Sequence, residues 1–207
     1  MMKKGIVVIC LLVGISLGAY KFNLHPRLAP APAGHITDSI AKYHLNTALV
    51  KVLIVKHAYQ LSLIIDGHTV KNYPVVLGPN PVDDKKQQGD GCTPEGLYKI
   101  RAKYPHQSWS YFLWIDYPNA PAWARFNANK KNGVIKKDAD IGGEVGIHGV
   151  PFVTPAFGTK PDKNTPHADN LIDMGVNWTA GCISLKTADI IEIYKYVPVG
   201  AEVEIQH

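Results

Sequence analysis

The sequence predicts a mainly β fold with a few short helices in one domain. Composition points there first, because 18 glycines and 15 prolines among 207 residues are too many turn formers for a helical bundle. Short alternating or continuous apolar runs then recur from Leu49 onward, and Asp66-Gly67, a two-residue hairpin signal, separates two of them. A hydrophobic share of 46% with 19% charged residues supplies one core and excludes disorder or coiled coil as the main state. The net charge of +5 draws partly on Lys3 and Lys4 at the N-terminus, so it implies no nucleic-acid partner. It suits a carboxylate-rich partner or an ordinary solubilising surface.

Taken in order, Lys3 and Lys4 precede residues 5–20, sixteen positions without a charge, and Lys21 closes the run. That is the layout of an export signal. The run is shorter than the ~20 residues of a comfortable membrane span, and Ser16-Leu17-Gly18 offers a small-x-small cleavage site. A cleaved signal peptide and an uncleaved anchor over residues 1–20 both stand as expectations. Either places the chain in the periplasm or cell envelope, touching the inner membrane only through this segment. Cys10, with Val8 and Ile9 ahead of it rather than the small residues of a lipoprotein signal, reads as inert. Residues 21–46 then read as a proline-rich spacer followed by a short helix over 35–46. Thr37 or Asp38 would cap that helix, with Ile40, Ala41 and Leu45 near one face.

Residues 49–55, 58–65 and 69–77 predict a meander of antiparallel strands, and residues 78–94 a loop long enough to carry function. Residues 95–103 predict the next strand. Residues 104–126 hold eight of the 19 aromatics around a strand at 111–116; they suit core packing or a cleft wall for a sugar or peptide. Residues 129–137 read as a solvated lysine-rich loop, or else as an attractor for an anionic polymer. Thr187 would cap a helix to Tyr196, with Asp189 in its first turn and Ile190, Ile191, Tyr194 and Val197 in one stripe. Pro198 stops it, and Ala201, Val203 and Ile205 alternate as a final strand of the same sheet.

Two glycine-flanked residues carry the candidate chemistry. His148 lies in Gly146-Ile147-His148-Gly149, and Cys182 ends Trp178-Thr179-Ala180-Gly181-Cys182, just ahead of the helix at Thr187. A thiol attacks carbonyl carbon as thiolate, and either a neighbouring imidazole or a helix N-terminus lowers its pKa. Amides at Gly181 and Cys182 would suit an oxyanion hole. A buried structural cysteine is the competing account. No C-x-x-C or H-E-x-x-H is present and the histidines are scattered, so no metal is expected. P-loop and G-x-G-x-x-G patterns are missing from the sequence, and its one G-x-S-x-G match, Gly14-Ile15-Ser16-Leu17-Gly18, lies inside the apolar N-terminal run, so neither a serine esterase nor a nucleotide-binding enzyme is indicated.

Residues 145–151 (VGIHGVP) and 177–185 (NWTAGCISL) together resemble the paired signature of the L,D-transpeptidase catalytic domain, the YkuD-type family. Residues 51–78, the Thr93-Pro94-Glu95-Gly96 turn and residues 197–205 are similar to the family's opening hairpins, turn and closing strand in the same order. The resemblance covers residues 47–207 and implies a β-sandwich-like catalytic domain. It implies Cys182 as nucleophile, His148 as base, and the Gly149 carbonyl as the histidine's partner. Gly181, Thr179, Trp178 and Ser184 would line the oxyanion and substrate site; Thr179 equally suits a hydrogen bond or turn stabilisation within the cysteine loop, and Trp178 a packing anchor rather than a subsite wall. The implied reaction is acyl transfer on peptidoglycan tetrapeptide stems through a thioester, with no cofactor. An amine from another stem gives a 3–3 cross-link, and an amine from an envelope lipoprotein gives attachment. A cysteine hydrolase of the same fold, an L,D-carboxypeptidase or amidase, is the alternative; a non-catalytic envelope-binding module is the third. Ser184 stands where many members have arginine, which favours the hydrolase relative to members that keep it. The 34 residues from His148 to Cys182 exceed the family's commoner spacing, so residues 150–176 read as an inserted loop, a lid or a passive excursion. Cys92 reads as a free, partly buried thiol; a regulatory disulfide with Cys182 is the other possibility.

Overall fold

The computed structural model describes residues 35–152 and 167–207; the expected export segment and proline-rich spacer lie outside the described residues. Helix α1 (Ile36–Tyr43) leads into strands β1 (Val50–Val55), β2 (Gln60–Ile65), β3 (His68–Pro74), β4 (Gly96–His106) and β5 (Ser110–Ile115). Helix α2 (Ala120–Lys131), strand β6 (Gly146–Gly149), helix α3 (Asn170–Asp173), strand β7 (Ile183–Leu185), helix α4 (Thr187–Tyr196) and strand β8 (Glu202–Gln206) complete the order. Among the described residues no helix is long and apolar enough to cross a membrane.

The alternation that predicted the first strands is the alternation that buries them. Val50, Val52 and Ile54 of β1 and Leu61, Leu63 and Ile65 of β2 face the core, and Val50↔Ile65 to Val55↔Gln60 is their antiparallel register. Asp66 and Gly67 turn the chain with φ of 51° and 76°, the left-handed pair whose twist suits a tight hairpin. Strand β8 enters the middle of the sheet, parallel to β1 and antiparallel to β4, so the order is β3-β2-β1-β8-β4-β5-β6-β7. The first half of β4 pairs with β8 and its second half with β5, with an irregularity between Ile100 and Ala102 where the sheet turns the corner. Val76 and Ser184 then exchange hydrogen bonds of 3.0 and 2.9 Å, joining the chain just beyond β3 to β7. The two ends of the sheet thereby meet, and a mainly β architecture curls around one core.

Helix ends depart from expectation. Helix α1 starts after His35 rather than at Thr37 or Asp38, and Asp38 instead accepts the His35 amide at 3.3 Å. Ile36 and Leu45 from this region are buried in the core of the sheet. Thr187 is the first residue of α4 rather than its cap, because Asp169, from the segment before α3, accepts both its amide (2.7 Å) and its hydroxyl (3.0 Å). Part of the lysine-rich stretch is helical: α2 runs to Lys131, capped by Asn119, whose side chain accepts the Ala122 amide at 3.2 Å. Of the predicted inserted loop, residues 153–166 lie outside the described residues. Its flanks are pinned by the Phe152–His167 bridge and by Ile172, which packs with Val76 and Val150 in a small second core.

The long loop between β3 and β4 is tied down by buried lysines. Lys56, fully buried at the end of β1, donates to Glu95 (2.8 Å) and to the carbonyls of Asp83 (2.7 Å) and Val82 (3.2 Å). Lys85 binds Asp90 at 2.9 Å. Burying an ammonium is costly unless it is paired and hydrogen-bonded, so these contacts hold the loop in one conformation.

Candidate active site

Strands β6 and β7 run parallel as neighbours, pairing Ile147 with Ile183, His148 with Ser184 and Gly149 with Leu185. Cys182 immediately precedes β7 and therefore lies beside Gly146, whose amide donates to its sulfur. The thiol itself faces the Glu144 carbonyl at 3.6 Å. Both glycine-flanked residues are thus brought to adjacent strands, two register positions apart, although 34 residues separate them in sequence.

His148 is 2% exposed, and aromatic rings fix its plane. Trp109 stacks on it at 4.5 Å, Phe112 lies parallel at 5.8 Å, and Trp178 meets it edge-on at 5.5 Å. His106 stacks on the far side of Trp109 at 4.3 Å. Nδ1 of His148 is 2.7 Å from the Gly149 carbonyl. A carbonyl only accepts, so Nδ1 carries the proton and Nε2 keeps a free lone pair. Burial lowers the His148 pKa to about 4, partly offset by that carbonyl bond. The imidazole is therefore neutral and basic at Nε2 near neutral pH.

Burial raises the Cys182 thiol to about 11, against which the Gly146 amide and Lys85 favour the thiolate and Glu144 opposes it. The expected help from a helix N-terminus is not available: β7 lies between Cys182 and α4, and the dipole effect fades within one turn. The resting pair is consequently thiol and neutral imidazole.

Thr179 shapes the cysteine loop. Its hydroxyl donates to the Cys182 carbonyl at 2.7 Å and accepts the Gly181 amide at 3.2 Å. The Gly181 amide is therefore engaged within the loop rather than available as an oxyanion donor, whereas the Cys182 amide has no acceptor among the described residues. Gly181 itself has φ of 124°, and a Cβ there would lie 2.5 Å from the Cys92 carbonyl oxygen. Ser184, expected in the substrate site, is 0% exposed within β7, and its hydroxyl has no partner. The structure places it in the core instead. Trp178 packs against the small second core, as a packing anchor would, and its ring also meets that of His148 near a right angle. Cys92 is buried and free, and burial raises its thiol to about 11.

Trp109 and Phe112 were legible only as members of an aromatic-rich stretch, and nothing in their spacing singled them out as the walls around His148. Gly146 was noted for its neighbour rather than for itself. A Cβ at Gly146 would stand 2.5 Å from the Phe112 ring and 2.7 Å from the Leu113 carbonyl oxygen. Gly146→Ala is expected to cost about 1–3 kcal/mol and to disturb the Phe112–His148 stack. An unchanged thermal midpoint in that variant would show that the strand can absorb the methyl group.

Among the described residues no group of three or more histidine, cysteine, aspartate or glutamate side chains is arranged to hold a metal ion. No curated protein matches the chain. Among solved structures, an L,D-transpeptidase from Mycobacterium tuberculosis H37Rv is 15% identical, with 77% of this chain and 58% of that one covered at a TM-score of 0.47. The helical cell shape determining protein Pgp2 from Campylobacter jejuni is 21% identical over 76% of this chain and 47% of its own, also at 0.47. An L,D-transpeptidase from Mycobacterium smegmatis is 16% identical over 77% and 59%, at 0.44. The match thus spans about half to three-fifths of those chains. The family model for the L,D-transpeptidase catalytic domain, YkuD, matches residues 50–205, from the first residue of β1 to within one residue of the end of β8 and including both His148 and Cys182. The chain belongs to the L,D-transpeptidase (YkuD) family.

Proposed function

We propose that this protein is a cysteine-dependent peptidoglycan L,D-transpeptidase of the cell envelope, acting on tetrapeptide stems through a thioester on Cys182. The observation that carries this reading is the pairing of β6 with β7, which sets Cys182 beside the strand of a histidine whose Nδ1 is committed to the Gly149 carbonyl. Because thiol and imidazole are both neutral at rest, the proton passes from sulfur to Nε2 of His148 as the sulfur attacks the stem carbonyl. The Cys182 amide is the donor nearest the oxygen that becomes negative. Collapse of the tetrahedral adduct breaks the amide, His148 returns the proton to the departing D-alanine nitrogen, and the acyl group remains as thioester. An amine of a second stem, or of an envelope lipoprotein, then attacks that thioester, so one amide is exchanged for another and no ATP is required.

Export by the segment over residues 1–20 would bring the enzyme to this substrate, which lies outside the membrane. The test is mass spectrometry of purified disaccharide-tetrapeptide incubated with the full chain. Dimers lacking one D-alanine per new bond are expected. Shortened monomers alone would make the enzyme a hydrolase, and unchanged substrate would overturn activity on free stems.

A further inference from the structure

Lys85 is a buried cation that the chemistry above does not use. It is 8% exposed, and its ammonium donates to Asp90 at 2.9 Å and to the Gln87 carbonyl at 3.1 Å. The third ammonium proton has no acceptor among the described residues. Asp90 does not depend on it alone, since its carboxylate also accepts the amides of Lys86 (2.7 Å), Gln87 (2.9 Å) and Cys92 (3.0 Å). Burial raises Asp90, but these amides and Lys85 outweigh it and keep the carboxyl below its ordinary range. The aspartate is therefore a fixed anion that anchors the lysine, with hydrogen bonds to spare.

The anchored ammonium is directed at the cysteine loop. A Cβ on Gly181 would stand 3.8 Å from Lys85 Nζ, so only the missing side chain of the residue before Cys182 separates the charge from that backbone. The charged groups acting on Cys182 are Lys85 from the loop before β4 and Glu144 from the segment before β6, while the titratable His148 lies on the adjacent strand β6. Lys85 is the sole fixed cation among these, and a like-sided anion at Glu144 works against the thiolate. Coulomb attraction across a few ångströms of protein interior is much stronger than in water.

We propose that Lys85, held by Asp90, is a positioning residue that supplies the positive charge stabilising negative charge on the Cys182 sulfur. This rests on Cys182 being the nucleophile, and its test reads the thiol rather than turnover. The full chain and its Lys85→Met, Lys85→Arg and Asp90→Asn variants would be alkylated with iodoacetamide over a range of pH. The Cys182 peptide would be followed by mass spectrometry, and the thermal midpoint of each variant checked. Below the titration midpoint the rate follows the thiolate fraction. Lys85→Met is expected to slow it about tenfold, equivalent to about one pH unit, while Lys85→Arg stays near wild type. Asp90→Asn loosens the anchor of Lys85 and should slow the rate as well, by less than Lys85→Met. A folded Lys85→Met with the wild-type rate would overturn the proposal. So would a folded Asp90→Asn whose rate is unchanged or rises, and this arm decides the matter if Lys85→Met does not fold. Charge-dependent alkylation without muropeptide exchange would leave this proposal standing and sink the transpeptidase reading; exchange with no charge dependence would do the reverse.

Discussion

Alanine at Cys182 is expected to abolish D-alanine release and dimer formation entirely, and to remove the acyl-enzyme mass adduct that the wild type forms with a tetrapeptide stem. No other group at the site can take over: Cys92 is buried and its thiol raised to about 11, and Ser184 lies in the core with its hydroxyl closed off from solvent. The fold should tolerate the change. Among the described residues the Cys182 side chain hydrogen-bonds the Glu144 carbonyl and the Gly146 amide, and the loop's own bonds run through the Thr179 hydroxyl and the Cys182 backbone. A thermal midpoint close to wild type with no turnover is the expected pair of results. Residual exchange in the folded variant would remove Cys182 from the mechanism.

His148→Ala should lower turnover by about 10²- to 10⁴-fold, the usual contribution of a positioned general base. It should also change how stability depends on pH. The wild-type imidazole has a folded pKa of about 4, below the unfolded value of ~6.5. Between those values the unfolded chain takes up a proton that the folded site refuses. The stability is therefore complete above pH ~6.5 and is lost as pH falls toward and through about 4. At ~1.4 kcal/mol per unit the full difference approaches about 3 kcal/mol. Thermal midpoints of wild type should thus fall more steeply than those of His148→Ala across that interval. The wild-type kcat/KM should share the acidic limb, because protonation at Nε2 removes the base. Parallel stability curves for the two proteins would mean that His148 is not held neutral by its surroundings.

The parts of this architecture with a regular period were legible in the sequence. Strands β1, β2, β4 and β8 alternate or run apolar over four or more residues, and the Asp66-Gly67 turn announces the first hairpin. Strands β6 and β7, by contrast, are four and three residues long, buried throughout, and exist because neighbouring strands pair with them. No local pattern marks them, although they carry the site. Helix α2 had a usable signal in Asn119 followed by Pro121 near the helix start, but it sat inside an aromatic-rich stretch read for its rings. His148 and Cys182 were legible because chemistry demands those residue types and glycines flank them. Thr179 was legible as a hydroxyl that could bond within the cysteine loop, as it does; the burial of Ser184 was not, since it depends on register between strands far apart in sequence. Lys85 was hidden for the same reason: a lysine in a polar loop looks solvated until the loop is seen folded under Gly181.

The place of β8 between β1 and β4 also bears on how the molecule is made. Residues 202–206, which follow every other strand of the domain in sequence, join the half of the sheet holding β1 to β3 to the half holding β4 to β7. Ladders between residues 51–55 and 202–206 close a loop of nearly the whole domain, a connection of high contact order. Until that strand arrives, both halves present unpaired edges, and a nascent chain cannot complete its core during synthesis. Closure of this core therefore waits on residues 202–206, and a chain lacking them holds two half-sheets with no strand to join them.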